Sequence, residues 1–250
     1  MIYLRGFKTL IKTEIKLLFR NVDTLFFGVL FPVGLVLVVG AIWGGKPSHS
    51  GSEFTFLENN FGAFVAIGIC ATGLMGLPLC ISDYRHKKIL KRYKVTPVSP
   101  AVLLFVQIVV NIIVAVLSAV LIYLVSTSLF HYKMTGSIIK FILVFFLVLI
   151  SIYSLGMAIA SFSPNIKVAN MLCVLLYFPM LFLSGATLPY EKMPIIMQKI
   201  VNVLPLTQGI KLLKASALGV DTGNILLPLS VMIGLIVLCI PLSIRYFKWE

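Results

Sequence analysis

Carboxylates are scarce in this 250-residue sequence, eight Asp and Glu against twenty-one Lys and Arg. They are Glu14, Asp23, Glu53, Glu58, Asp83, Glu191, Asp221 and Glu250, and none lies inside a long apolar run. A carrier driven by a proton or sodium gradient usually holds an ionisable side chain at mid-membrane, where it binds and releases the coupling ion. That absence argues against proton coupling and leaves sodium only a neutral cage of carbonyls and hydroxyls. Histidine is scarcer still: His49, His86 and His131 stand apart, with no carboxylate constellation from which a hydrolase or transferase site would be built. The four cysteines, Cys70, Cys80, Cys173 and Cys239, fall in apolar runs without CxxC spacing and read as small buried side chains. A phosphate-loop pattern, GxxxxGK, occurs once, from Gly40 to Lys46. Pro47 follows where Ser or Thr would hold magnesium, and an apolar run precedes it where a strand is required, so nucleotide binding there is set aside.

What the sequence has in quantity is apolar length. Sixty per cent of the residues are hydrophobic and the mean hydropathy is +1.06, which excludes a soluble domain and indicates one integral membrane unit. The net charge of +13 does not indicate nucleic acid, because the basic residues gather at the ends of apolar runs, where they anchor to headgroups and set topology. Six stretches, 24–43, 61–82, 101–126, 138–162, 168–184 and 225–247, are read as helices crossing a hydrocarbon core of about 30 Å. The expected fold is an all-α polytopic membrane protein.

Ahead of the first span, residues 2–20 place Tyr3, Leu4, Phe7, Leu10, Ile11, Ile15 and Leu18 at helical spacing, with Arg5, Lys8, Lys12, Lys16 and Arg20 between them. This is a basic amphipathic helix suited to the headgroup plane. A signal peptide fits less well, since the following apolar run is long and five further spans come later. Pro32 predicts a kink in the first span. Gly62, Ala66, Cys70 and Gly73 give the second a face for close helix approach. In the third, Gln107, Asn111 and Ser118 share a face that must meet another helix or a water-filled cavity. Ser151, Ser154 and Ser161 in the fourth read as packing residues. Asn170, Tyr177 and Ser184 recur at seven-residue steps in the fifth and, with Gln107 and Asn111, are candidates for a substrate pathway or dimer face. Residues 185–224 are broken by Pro189, Pro194 and Pro205. A pair of short helices dipping into the outer leaflet is favoured there over a seventh span, because Lys199, Asn202 and Pro205 occupy the middle of the only window long enough to cross.

Between the second and third runs, Asp83 to Pro100 packs six Lys and Arg into DYRHKKILKRYKVTPVSP. Short loops retain such charge on the cytoplasmic side, so both termini are expected there too. Fourteen of the twenty-one basic residues then face the cytoplasm and seven the outside. With no ionisable group of its own at mid-membrane, a transporter of this composition must receive energy from a partner, and this segment is where it would arrive.

The chain resembles, over essentially its whole length, the membrane subunit of an ATP-binding-cassette exporter of the ABC-2 type. The order of elements is the same. Ser82-Asp83-Tyr84-Arg85 through Leu90 to Thr96-Pro97-Val98-Ser99-Pro100 resembles that family's cytoplasmic helix and its exit. Ser184-Gly185-Ala186, Pro189, Pro194, Gln198 and Leu204-Pro205-Leu206-Thr207 resemble its outer re-entrant segment. Asp83 stands where members often carry Glu, and Lys87 and Lys88 occupy the region of a family glycine. The resemblance implies that 83–97 is a coupling helix, with Asp83, Tyr84, Arg85, Lys88, Leu90, Lys91, Arg92 and Pro97 engaging a separate ATPase. It implies two ATPase copies carrying ATP and magnesium, a second permease, identical or homologous, no cofactor and no catalytic site on this chain, and residence in a bacterial cytoplasmic membrane among its lipids. The expected activity is export of an amphipathic drug, antimicrobial peptide or lipid-like substrate. A membrane scaffold or immunity protein, or a gradient-driven carrier, are the alternatives.

Overall fold

The computed structural model describes residues 2–18, 22–47, 54–90, 100–183, 201–220 and 225–247. Among them the only extended pairing is a single bridge between Pro47 and Thr55, and every longer element is helical. Helix α1 is Ile2–Leu18. Helix α2 runs through Val22–Leu25, a wide π-turn at Phe26–Leu30 and Phe31–Trp43. Helix α3 is likewise continuous from Phe56 to His86, with a π-turn at Ala71–Gly76. Then come α4, Pro100–Phe130, α5, Ile138–Phe162, and α6, Ile166–Leu183. The last two are α7, Pro205–Leu218, and α8, Leu226–Tyr246. Six of these helices, α2 to α6 and α8, contain segments of 18 to 31 residues apolar enough to cross a membrane.

Local chemistry sets the ends. Helix α3 starts ahead of its apolar run because Thr55 and Glu58 form a capping box: the Thr55 hydroxyl accepts from the Glu58 N–H (3.3 Å) and the Glu58 carboxylate accepts from the Thr55 N–H (2.8 Å). Each π-turn lies just ahead of a proline, Pro32 or Pro78, placed second in the α-helical stretch that follows. A proline ring crowds the carbonyl four residues back and donates no N–H, and a locally wider turn absorbs both defects without breaking the helix. At Pro32, where a kink was expected, the structure shows such a π-turn in a continuous helix. The two π-turns lie side by side, since a Cβ on Gly28 would sit 3.0 Å from Thr72 Cγ2.

Helix α3 is the axis of the molecule. Residues 61–74 are buried on all sides, as an all-round apolar helix demands. Glycines let its neighbours approach. A Cβ on Gly62 would lie 2.8 Å from the Lys214 nitrogen of α7, and a Cβ on Gly156 of α5 would lie 2.0 Å from the Gly73 carbonyl oxygen. Thr72 accepts from the Tyr153 hydroxyl of α5 at 2.9 Å and donates into its own helix at Gly68 and Ile69. Helices α5 and α8 lie parallel, joined by Ser151 to the Met232 carbonyl, Ser154 to Leu235 and Ser161 to Ser243. The serines of α5 thus serve packing.

At about 21 Å, the 14-residue α7 is too short to cross. Its Gly219 cap (φ 69°) abuts Gly136 in the loop between α4 and α5, while Gly209 meets Val148 well inside α5. At the same end as that loop, Phe61 stacks on Tyr132 at 4.5 Å between centroids. The opposite, basic end carries residues 83–90. The phosphate-loop lookalike has no open run of amides: Gly40 is inside α2 against Phe130, and the Gly44 N–H is bonded to the Gly40 carbonyl at 2.9 Å.

Candidate functional site at the root of the basic segment

Helix α3 does not stop at the membrane edge. It runs on through Asp83, Tyr84 and Arg85 to His86, so the first turn of the basic segment is a rigid extension of the buried axis. Asp83 pairs with Lys87 one turn on, at 2.7 Å, and both face outward. Lys87 ends the helix and Lys88 turns the chain with φ of 56°. Leu90 is buried beyond the turn. Lys91, Arg92 and Pro97 lie outside the described residues, as does Ser184.

Tyr84 and Arg85 point to opposite sides of the bundle. The Arg85 guanidinium is buried, and its Nη1 donates to the carbonyl oxygens of Ala160 (3.1 Å) and Ser163 (2.7 Å) at the end of α5. A cation at a helix C-terminus meets unspent carbonyls and the negative end of the macrodipole. The Phe247 ring beyond α8 covers it, 5.3 Å from centroid to guanidinium carbon. Nε and Nη2 have no partner among the described residues.

On the other side, the Tyr84 hydroxyl donates to Glu14 Oε2 of α1 at 2.6 Å. Gln107 of α4 donates to the same oxygen at 2.6 Å and to the Tyr84 oxygen at 3.1 Å, and its Oε1 accepts from the Cys80 thiol at 3.3 Å. Glu14 is 8 % exposed. Asn111 continues the cluster one turn along α4, donating to the Gln107 carbonyl at 2.9 Å. Its Oδ1, beside Gly76, is buried without a partner among the described residues. Gln107 and Asn111 therefore meet α1 and α3 at the basic end. Asn170 is exposed on α6, Tyr177 is buried with its hydroxyl unpartnered, and no hydrogen bond joins this pair to the Gln107 cluster among the described residues.

Glu14, Cys80 and the α5 terminus were not singled out by sequence reasoning. Glu14 had a signal: it continues the stripe of Leu10, Ile11 and Leu18 on α1, a carboxylate where the pattern calls for an apolar residue. Among the described residues no cluster of His, Cys, Asp and Glu has the makings of a metal site. The arrangement offers no nucleophile with a base. Two consecutive residues at the root of the basic segment tie it to α1 and α4 on one side and to α5 and the residue after α8 on the other.

Nodulation protein J of Rhizobium leguminosarum bv. viciae is 35 % identical over 79 residues, covering 32 % of this chain and 30 % of that protein. The Sinorhizobium fredii protein of the same name is 34 % identical over 79 residues, with 32 % and 30 % covered. That of Neorhizobium galegae is 33 % identical over 95 residues, covering 38 % and 36 %. The chain thus spans about a third of the length of these curated relatives. A family model described as "ABC-2 type transporter" matches residues 5–218, from α1 to the end of α7. With six apolar helices of membrane-crossing length, one of them the buried axis, the chain is an integral membrane protein and belongs to the ABC-2 type transporter family.

Proposed function

We infer that this chain is the permease of an ATP-driven exporter, with 83–97 receiving motion from a separate ATPase. The observation that supports it most directly is the pair of opposed attachments at Tyr84 and Arg85. A push on a lever fixed on one side alone would tilt one helix. Fixed on both, the root moves α1, α4 and α5 together and can shift the bundle between two packed arrangements. Family membership supports the ATPase partner, since ABC-2 permeases normally work with one. On this reading two ATPases carry ATP and magnesium, a second permease, identical or homologous, completes the passage, and the basic end and both termini face the cytoplasm. Lys91, Arg92 and Pro97 belong to the ATPase-facing part, and α7 is a re-entrant helix of the outer leaflet. Asn170, Tyr177 and Ser184 line the pathway or dimer face. The cargo is an amphipathic drug, antimicrobial peptide or lipid-like molecule, matched to the apolar and aromatic character of α6.

The test is affinity purification from gently solubilised membranes, parent beside Lys91→Glu/Arg92→Glu, with mass spectrometry of bound proteins. A nucleotide-binding ATPase recovered with the parent and lost from the double variant is the expected result. An Arg85→Ala variant should keep the ATPase bound, hydrolyse ATP, and transport poorly. No ATPase on the parent would leave a scaffold as the better description, and an ATPase retained by the double variant together with parent-like transport in Arg85→Ala would overturn the basic segment as the coupling site.

A further inference from the structure

The Glu14 cluster has an unusual composition for its place. A carboxylate is buried against α3 and α4, yet among the described residues the one ion pair is Lys87 with Asp83, and Glu14 is met only by neutral donors. An apolar side chain of similar volume would fill such a site without desolvating a charge. Packing alone does not explain a glutamate there. What it supplies is one oxygen shared by donors from two different helices, each at 2.6 Å, the short length of a charge-assisted hydrogen bond. Tyr84 and Gln107 are also bonded to one another, so the three side chains close a triangle. Each corner belongs to a different helix: α1, α3 and α4.

We propose that Glu14 is a positioning residue of the transport cycle: its carboxylate fastens α1 to the lever root and to α4, so that α1 travels with α3 when the basic segment is pushed. This rests on the coupling reading above and names the residue that extends it to the N-terminal helix. Apart from the tie, the apolar residues Leu10, Ile11, Ile15 and Leu18 of α1 are only half-buried, and a partly exposed apolar contact can slide where a hydrogen-bonded one holds its register. The triangle also covers Cys80, whose thiol is bonded to Gln107, so this cysteine reports whether α1 and α4 stay seated.

The experiment uses the permease with its ATPase in proteoliposomes, with Cys70, Cys173 and Cys239 replaced by alanine so that Cys80 is the only thiol in the permease, on a cysteine-free ATPase. N-ethylmaleimide labelling of Cys80 is followed without nucleotide and in the ATP–vanadate state, beside ATP hydrolysis and transport. In the parent, labelling is slow and equal in both states. In Glu14→Leu, labelling in the trapped state rises and transport per ATP falls, each by about tenfold, the scale set by losing hydrogen bonds to a charged acceptor. ATP hydrolysis stays within about twofold, well under the tenfold that a difference of 1.4 kcal/mol makes. Glu14→Gln, which keeps a carbonyl acceptor, restores most of the coupling, and Gln107→Leu, which removes the second donor, reproduces the Glu14→Leu phenotype if that variant fails to insert. Parent-like transport per ATP in Glu14→Leu and Gln107→Leu would overturn the proposal, and so would parent labelling that rises on trapping. If Arg85→Ala is uncoupled while both of these variants are not, this inference alone fails; if Arg85→Ala is also parent-like, the coupling reading fails with it.

Discussion

Lys88 holds the left-handed backbone that an L-residue adopts only at a cost, with φ of 56° where α3 gives way to the rest of the basic segment. Glycine takes that conformation freely, so Lys88 marks the place in the turn where a glycine fits best. Lys88→Gly should stabilise the protein by about 1 kcal/mol and Lys88→Val should destabilise it by a similar amount, both read from thermal unfolding in detergent. The reverse order would mean that this turn is not left-handed. The same scale shows what the sequence can and cannot disclose. Glu14 carries a signal, a charge in an apolar stripe, that reading α1 only as a lipid-facing amphipathic helix passes over. The target of Arg85 carries no signal: its acceptors are main-chain carbonyls 75 and 78 residues away, and every helix ends in carbonyls whatever its side chains are.

Between elements, distance of approach is the controlling quantity. At the crossing of α3 and α5 the Gly73 carbonyl oxygen lies 2.0 Å from where a Gly156 Cβ would be, and backbone has no rotamer with which to give way. Gly156→Ala should therefore cost about 1–3 kcal/mol in thermal stability, as overpacking does. Gly234→Ala in α8, with nothing within 4 Å of the new methyl, should be neutral or stabilising. Equal effects would mean the two helices are not in backbone contact. The membrane-length helices were readable because lipid demands long apolar runs, and the small residues at 62 and 73 of α3 were readable as close-approach sites. Their extents were less so. A capping box moves the start of α3 ahead of its apolar run, and the π-turns leave no trace except the prolines that follow them.

For the molecule as a whole, the charge of the basic end predicts that it faces the cytoplasm, and the check is a labelling pattern. With the native cysteines replaced, a single cysteine at Lys133, in the exposed loop between α4 and α5, should react with a membrane-impermeant maleimide in intact cells. One at Lys87 should react only after permeabilisation; the opposite pattern would invert the molecule. The parallel pair α5 and α8 adds a consequence for assembly. Each of the three serines that bind α8 also points its hydroxyl at a carbonyl of its own helix: Ser151 at Leu147, Ser154 at Ser151 and Ser161 at Met157. During synthesis α5 enters the bilayer long before α8 exists. Its hydroxyls wait in lipid with an acceptor already in hand, and when α8 arrives they share their hydrogens with it instead of being rescued by it. The seam can therefore be made late, by a helix that emerges well after α5, without a polar group ever having been stranded.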